Sequence, residues 1–599
     1  IGGASGFWGD AALATPQLLA SAQLDYIVYD YLAEITMSIM ARARAADDSK
    51  GYATDFISSV LAGNLKAISE QGVKVIANAG GVNPGACAEA ARALIAEQGL
   101  NLKVATVLGD DLIGQGPALA ASGVREMFSG EAFPDPARIA SINAYLGAFP
   151  IARALEMGAD IVITGRCVDS AVTLGACIHA FGWARHDYDK LAQASLAGHL
   201  LECGTQATGG NFTDWETVVD SLPEAGYPIG EISENGDVVI TKPEGTGGIV
   251  NVGTVAEQML YEIGDPQAYL LPDVACDFSQ VSLTQSGDDR VLVRGARGHG
   301  APDGYKVSAT YADGFRAGHI WTMYGRDADT KAERLAEAIF SRSSAILQQV
   351  GLPDFTETSY EVIGAESHYG PARKVGSVRE VDVKIAAKHP SPKGIGVLLK
   401  EMVGMALTAP PGLTGFAGAR AKPSPVVRLF SMIVPKDQVA VTVDCEGESL
   451  ECPDTVDRVF DQASISRHRL PEAAPDGDHI AVTLESLAWG RSGDKGNKAI
   501  SGIIARHPDF LPSIASQITE QRVADLFQHF LTADQPEPVE RFYMPGPSAF
   551  NFLLHDVLGG GGIASLRVDP QGKGYAQVLL AETVQLPAAL AEKHALVSS

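Results

Sequence analysis

The sequence predicts an α/β fold: an open, mostly parallel sheet domain with helices on both faces, followed by an α+β region and a small C-terminal α+β domain. Three observations carry this. Short apolar runs that end in Gly/Asp/Asn loops and pass straight into helical patterns recur at Ile1, Val73, Leu102 and Ile161, which is the alternation of a parallel sheet. After Asp277 the pattern changes to alternating strands around a long helix, roughly Asp329 to Val350. An acidic stretch from Glu446 to Asp478, bearing Pro453, Pro471 and Pro475, then sets off a last segment. With 599 residues the chain is too long for one core. The expected division is a main α/β domain over 1–275, an α+β domain over 276–450, a linker over 451–478 and a small C-terminal domain over 479–599.

Gly2 to Asp10 reads as the turn after a first strand, so a few residues of the natural chain are expected to precede Ile1. It matches neither the GxGxxG dinucleotide fingerprint nor a GxSxG nucleophile elbow. A strand over Leu24 to Tyr31 ends in the acidic-aromatic run Asp30-Tyr31-Leu32-Ala33-Glu34. Val73 to Ala77 is closed by Asn78 to Pro84, and the helix Gly85 to Glu97 has Pro84 at its first turn, where a missing N–H costs nothing. Leu102 to Leu108 ends at Gly109-Asp110-Asp111. A helix over Ala148 to Met157 stops at Gly158, and the strand Ile161 to Ile163 empties into Gly165-Arg166-Cys167-Val168-Asp169-Ser170. In a parallel sheet all these loops lie at strand carboxyl ends and converge on one crevice, where open α/β folds place their ligands.

Further on, Val238 to Thr241 is a strand, and Thr254 to Glu257 reads as a capping box opening a helix to Ile263. Strands follow at Arg290–Arg294, Tyr305–Thr310, Ala317–Tyr324, Glu361–Gly364 and Arg379–Ala386. The last segment shows a strand (Ile480–Ser486), the loop Gly490–Asn497 before a helix, helices over Glu520–Leu531 and Asn551–Leu558, and strands around Leu566 and Val578.

Composition narrows the function. A net charge of −26 excludes a nucleic-acid partner, because phosphate binding needs a basic field. The 7 scattered cysteines form no CxxC pair and no zinc spacing, which fits a reducing cytoplasm. No apolar run approaches a membrane span, so no membrane partner is expected. A homo-oligomer is the base expectation for a large cytoplasmic enzyme.

The densest reactive chemistry lies between Asn143 and Trp215. Candidate catalytic residues are Asp169, Asp110, His199, Cys167, Glu202, Cys203 and Asp214. Two carboxylates in one crevice serve as acid and base, or hold Mg²⁺ beside a phosphate; helix capping is the plainer use of Asp110, Asp111 and Asp169. Cys203 is either a nucleophile or a buried thiol, and His199 a general base or a core histidine. Candidate ligand contacts are Gly3, Ser5, Gly6, Asn78, Gly80, Gly81, Asn83, Arg166, Gly209, Gly210, Asn211, Gly247 and Gly248. In the C-terminal segment they are Arg491, Ser492, Gly493, Asp494, Lys495, Gly496 and Asn497, whose glycines and cations suit an anion. The other reading of that stretch is a surface turn. Gly560 and Gly561 mark a close approach.

The runs GGASGFWGD, ITGRCVDSA, GGNFTDW and GTGGIVNVGTVAEQMLYEIGDP resemble the acyclic terpene utilization protein A family. The tail, through WGRSGDKGN and NFLLHDVLGGGGIASLRVDPQGKGYAQ, is similar to the ferredoxin-like domain fused to many members. The resemblance implies breakdown of citronellol- and geraniol-type acids as CoA thioesters, and it names no nucleophile. With no biotin-lysine motif and no flavin or nicotinamide fingerprint, hydration or C–C cleavage is left. The expectation is a lyase or hydro-lyase on a branched acyl-CoA or hydroxy acid, with CoA entering as part of the substrate and no tightly bound cofactor. Asp169, Asp110 or His199 would move the proton and glycine-loop amides would hold the oxyanion. A non-catalytic assembly subunit, or a transferase with a covalent intermediate on Cys203 or Glu202, are the alternatives.

Overall fold

The computed structural model describes all residues except 11, 22, 417, 419, 473–476, 533–534 and 597–599. At its centre is an eleven-stranded sheet. The middle strands run parallel in the spatial order Gly2–Gly3, Tyr26–Tyr29, Lys74–Ala77, Ile161–Thr164 and Val104–Leu108. They are apolar on both sides because both faces are covered, as crossover connections require. Helices Phe149–Glu156, Ala171–Phe181, Tyr188–Leu201 and Val252–Leu260 bury one face, and Ala14–Ser21, Ala62–Gln71 and Pro84–Glu97 the other. Ile161–Thr164 lies between Lys74–Ala77 and Val104–Leu108. The loops that follow these three strands are therefore neighbours.

Both edges of the sheet are antiparallel and come from later in the chain. Ile229–Ile232, Val238–Thr241, Arg290–Arg294 and Ser282–Gly287 extend one side, and Thr442–Cys445 and Glu448–Glu451 the other. The segment 276–450, expected as a separate domain, thus closes both edges of the first sheet. The stretch read as a linker is also tied down. Asp454, with a side chain 4% exposed, takes Arg185 at 2.6 Å, Lys436 at 2.9 Å and the Tyr305 hydroxyl at 2.7 Å. Pro475 lies outside the described residues.

A second sheet of six strands is built on Gly304–Tyr324, a single strand where the sequence suggested two. Its first half pairs with Ile139–Ala144 and Ser424–Pro435, its second with Glu380–His389 and Leu413–Thr414. The bend between them falls where the register shifts between Ala312 and Phe315, with Gly314 at φ +83°. Ala328–Gln349 and Pro392–Met405 cover one face of the second half.

The C-terminal unit is an antiparallel sheet of Ala488–Lys495, Lys498–Ala505, Ala549–Leu554 and Val539–Met544, with His479–Thr483 paired to Thr583–Pro587. Several expectations are corrected here. Gly490–Asn497 is not a loop before a helix; it is a hairpin whose turn holds Gly496 at φ +64°. Residues 551–554 are strand, Val578 is helical, Leu566 belongs to no strand, and the helix from Glu520 stops at Leu526. Residues 549–554 are nearly all buried on both faces, so no period-two pattern marks them. The capping box likewise lies three residues earlier, with Asn251 as N-cap and Thr254 returning the bond.

The C-terminal sheet docks on helix Val252–Leu260 through positions without side chains. A Cβ on Gly493 would lie 2.5 Å from the Tyr261 ring and one on Gly502 2.8 Å from Leu260 Cβ. Similar crowding fixes the first strand: a Cβ on Gly3 would meet the Leu201 carbonyl oxygen at 2.3 Å. Gly3→Ala is therefore expected to destabilise the protein by about 1–3 kcal/mol. Gly63→Ala, in a helix with nothing within 4 Å of the new Cβ, should be neutral or stabilising. Denaturant unfolding of the two variants checks the contrast.

Candidate active site

The strand ends deliver acidic groups to one place. Asp30 follows Tyr26–Tyr29, Asp169 follows Ile161–Thr164, and Glu202 ends helix Tyr188–Leu201. One carboxylate oxygen from each lies within 4.8 Å of the others. Asn78, after Lys74–Ala77, donates from Nδ2 to Asp30 Oδ1 at 2.5 Å and accepts the Tyr31 N–H at 2.7 Å. Ser5, after the first strand, donates to the Asp30 carbonyl at 3.0 Å. Asn78 thus holds the Asp30 carboxyl group and Ser5 its backbone, so the ends of three neighbouring strands fix this residue.

Arg166 organises the other side. Its buried guanidinium donates to Asp169 Oδ1 at 2.7 Å and to the Leu32 carbonyl at 3.0 Å, and stacks 4.2 Å from the Tyr145 ring centre. Asp110 sits beneath this turn, accepting the Arg166 N–H at 2.8 Å and Asn143 Nδ2 at 2.9 Å. Gly165 is required there, since a Cβ would fall 2.3 Å from the Asp110 carboxylate. Asp110 is thus a positioning group for the loop. Tyr145 donates to Glu34 at 2.8 Å, and Lys306 lies 3.7 Å from the same Glu34 oxygen.

The electrostatics separate these carboxyls. Burial, with Asp169 and Glu202 close by, raises Asp30 well above the carboxylate range. Burial also raises Glu202 against the pull of His199. Burial alone would push His199 down, but Glu202, 2.8 Å from Nδ1, outweighs it and holds the imidazole above its usual range. Burial would push Glu34 up as well; Lys306, Arg166, Lys495 and the Tyr145 hydroxyl hold it at about 2. His199 Nε2 is buried and has no partner among the described residues.

The C-terminal hairpin roofs the site. Lys495 Nζ lies 2.6 Å from Glu262, and its charge reaches Asp169, Glu202 and Glu34. Lys573 contacts the Tyr261 hydroxyl and lies 3.7 Å from Glu262. Burial, with Glu262 adjacent, raises Asp494 to about 7.

Other expected site residues serve the scaffold. Asp214 is held by Arg506 at 2.5 Å and Trp489 at 2.8 Å, at the seam between the units. Arg491 is not free for an anion: it pairs with the fully buried Glu257 at 3.2 Å and bonds Gln206 and the Gly210 carbonyl. Ser492 bonds the Lys573 carbonyl and the Ala576 N–H, and Asn497 receives the Gly560 N–H. Gly561 packs on the Gly496 carbonyl. Asn83 caps helix Pro84–Glu97. Gly209, Asn211 and Gly248 take positive φ in turns, and Gly247 packs on Ser221. The amides of Gly3, Gly6, Gly80 and Gly81 are all given to protein acceptors, so they hold no oxyanion. Burial pushes the Cys167 thiol up to about 12, and burial with Glu202 pushes Cys203 well above its usual range.

Among residues not singled out from the sequence, Asp30 and Glu34 stood in a visible acidic-aromatic run, whereas Tyr145, Lys306, Glu262 and Lys573 gave no local signal. No helix among the described residues is long and apolar enough to cross a membrane.

Fold and site together define an α/β protein with an acidic, cation-bridged centre at the carboxyl end of its parallel strands, roofed by a smaller α+β domain. The family model described as acyclic terpene utilisation family protein AtuA matches residues 1–445, and that of the AtuA ferredoxin-like domain matches residues 482–585. The chain belongs to the acyclic terpene utilisation family. No curated protein and no solved structure matches it.

Asp110 supplies a test of the scaffold. Burial raises it from 3.8 to about 7, so the folded state binds its proton more tightly than the unfolded chain. The stability this contributes is complete below about pH 4 and is lost as pH rises towards 7. Asp110→Asn should remove this component, worth on the order of a few kcal/mol at most. Its melting temperature should fall less than the parent's between about pH 5 and pH 8 in a thermal scan.

Proposed function

We propose that the protein is an enzyme of acyclic terpenoid and branched acyl-CoA breakdown, a lyase or hydro-lyase acting on a branched acyl-CoA or hydroxy acid in the cytoplasm. The observation that carries this reading is the meeting of Asp30, Asp169 and Glu202, with His199 beside Glu202. Asp30 and Glu202 are raised by burial while the neighbouring Glu34 is held low by its cations, and carboxyls of such different proton affinity in one crevice are the arrangement that acid–base chemistry needs. In this reading Asp169, held by Arg166, is the base, and the Glu202–His199 pair with Asp30 holds the proton to be returned. Lys495, rather than glycine amides, would stabilise negative charge developing on a carbonyl oxygen.

A groove of about 780 Å³ supports a long substrate. It is lined by Ser38, Arg42, Arg138, Tyr311, Phe315 and Lys388. Ser38 and Arg42, which line it, lie about 6 Å and about 12 Å along helix Glu34–Ala46 from Glu34. The three clustered carboxylates also suit a hard cation such as Mg²⁺. A covalent route through Cys203 is disfavoured, because a thiol held so strongly protonated is a poor nucleophile.

A thermal-shift panel of CoA, branched acyl-CoAs, hydroxy acids and Mg²⁺ tests the substrate class, with stabilisation by acyl-CoA expected and about 2.7 kcal/mol available at a hundredfold excess over Kd. No shift with any thioester or acid would turn the reading towards an assembly subunit. With a turnover substrate in hand, Asp169→Asn should lower kcat by about 100-fold or more. Unchanged kinetics would remove Asp169 from the mechanism.

A further inference from the structure

We propose that the C-terminal domain carries a site for a borderline divalent cation of the Zn²⁺ class, formed by His507, Asp509 and His594. The inference is independent of the reading of the acidic crevice. One ligand atom from each of the three residues lies within 4.8 Å of the others. The residues reach this point from separate parts of the chain. His507 caps the turn Pro508–Phe510, its Nδ1 accepting the Asp509 N–H at 3.1 Å. His594 ends helix Ala588–Lys593, which follows the strand Thr583–Pro587.

The two imidazole rings stand 4.5 Å apart, and the Phe510 ring backs His594 at 4.7 Å. Asp509 Oδ2 gathers His594 Nε2 at 2.9 Å, His507 Nδ1 at 3.4 Å and Lys593 Nζ at 2.6 Å. Lys593 and His594 thus share one carboxylate oxygen with His507 Nδ1 beside it; a divalent cation would take the Nδ1 lone pair from the Asp509 N–H and displace Lys593, with both imidazoles neutral. Two imidazoles and one carboxylate suit Zn²⁺, Ni²⁺ or Cu²⁺, whereas Mg²⁺ and Ca²⁺ favour sets made of oxygen alone. His507 is about half exposed, with a side chain 46% accessible, which leaves room for water to complete a tetrahedral set. Bound there, the cation would clip the turn at 508–510 to the helix at 588–593.

Titration of the full chain with Zn²⁺ alone, against a chromophoric chelator, tests the site. One equivalent should bind and raise the melting temperature. His594→Gln and His507→Asn should each weaken that equivalent by about tenfold or more, while Mg²⁺ causes no shift that depends on these residues. Asn keeps a capping acceptor at position 507, and the melting temperatures of the metal-free variants report whether the fold is intact. Failure of the parent protein to bind Zn²⁺, or an equivalent whose affinity is unchanged in the double variant His507→Asn/His594→Gln, overturns the proposal.

Discussion

Burying a guanidinium at the mouth of a parallel sheet obliges the surrounding chain to neutralise and bond it, and the crevice is built around meeting that demand for Arg166. The group is 4% exposed. A charge so placed is tolerated only when it is paired and hydrogen-bonded. Asp169 supplies the pair, the Leu32 carbonyl an acceptor and Tyr145 an aromatic face. Each comes from a different loop, so fixing Arg166 fixes their mutual positions. Asp110 locks the backbone of the same turn from beneath, and Gly165 lets it approach.

The smaller domain extends this arrangement. Its docking rests on a second buried pair, Arg491–Glu257, and on the anchoring of Asp214 by Arg506 and Trp489. Removing one partner of a buried pair leaves an uncompensated charge, which ties the placement of the hairpin to that of helix Val252–Leu260. The same hairpin carries Lys495 and Asp494 to the crevice. One strand, Ala488–Lys495, therefore contributes both to the binding of the two units, through Trp489, Arg491 and Gly493, and to the charge balance of the centre, through Asp494 and Lys495. Mass action follows: a ligand that occupies the crevice and touches Lys495 will also stabilise the seam.

Glycines show how one residue type supports opposite readings. A Gly-rich, basic run suggested an anion loop at Gly490–Asn497. Its Gly493 instead makes room for Tyr261, and its Arg491 faces inward to Glu257. Close approach was the right physical property, but the approaching group is another part of the same chain. The loops after the parallel strands differ: there a small residue such as Gly165 admits a polar side chain, Asp110, and the turn still presents Arg166 and Asp169.

Local sequence was sufficient for what depends on neighbours in the chain. The apolar runs and the Gly/Asp/Asn loops determined the parallel strands, the helices between them and the end of the sheet where reactive groups collect. Asp169 and the run Asp30 to Glu34 were legible for that reason, and His199 and Glu202 by the density of reactive side chains between Asn143 and Trp215. Tertiary structure alone decided which of those groups meet, because contact among Asp30, Asp169 and Glu202 depends on the spatial order of strands that are far apart in sequence. It alone decided that the chain returns from residues 282–294 and 442–451 to close both sheet edges, that a buried strand at 549–554 shows no alternation, and that Lys306, Glu262 and Lys573 face the crevice. Pairing partners and long-range charge are properties of the folded surface, and no window of neighbouring residues contains them.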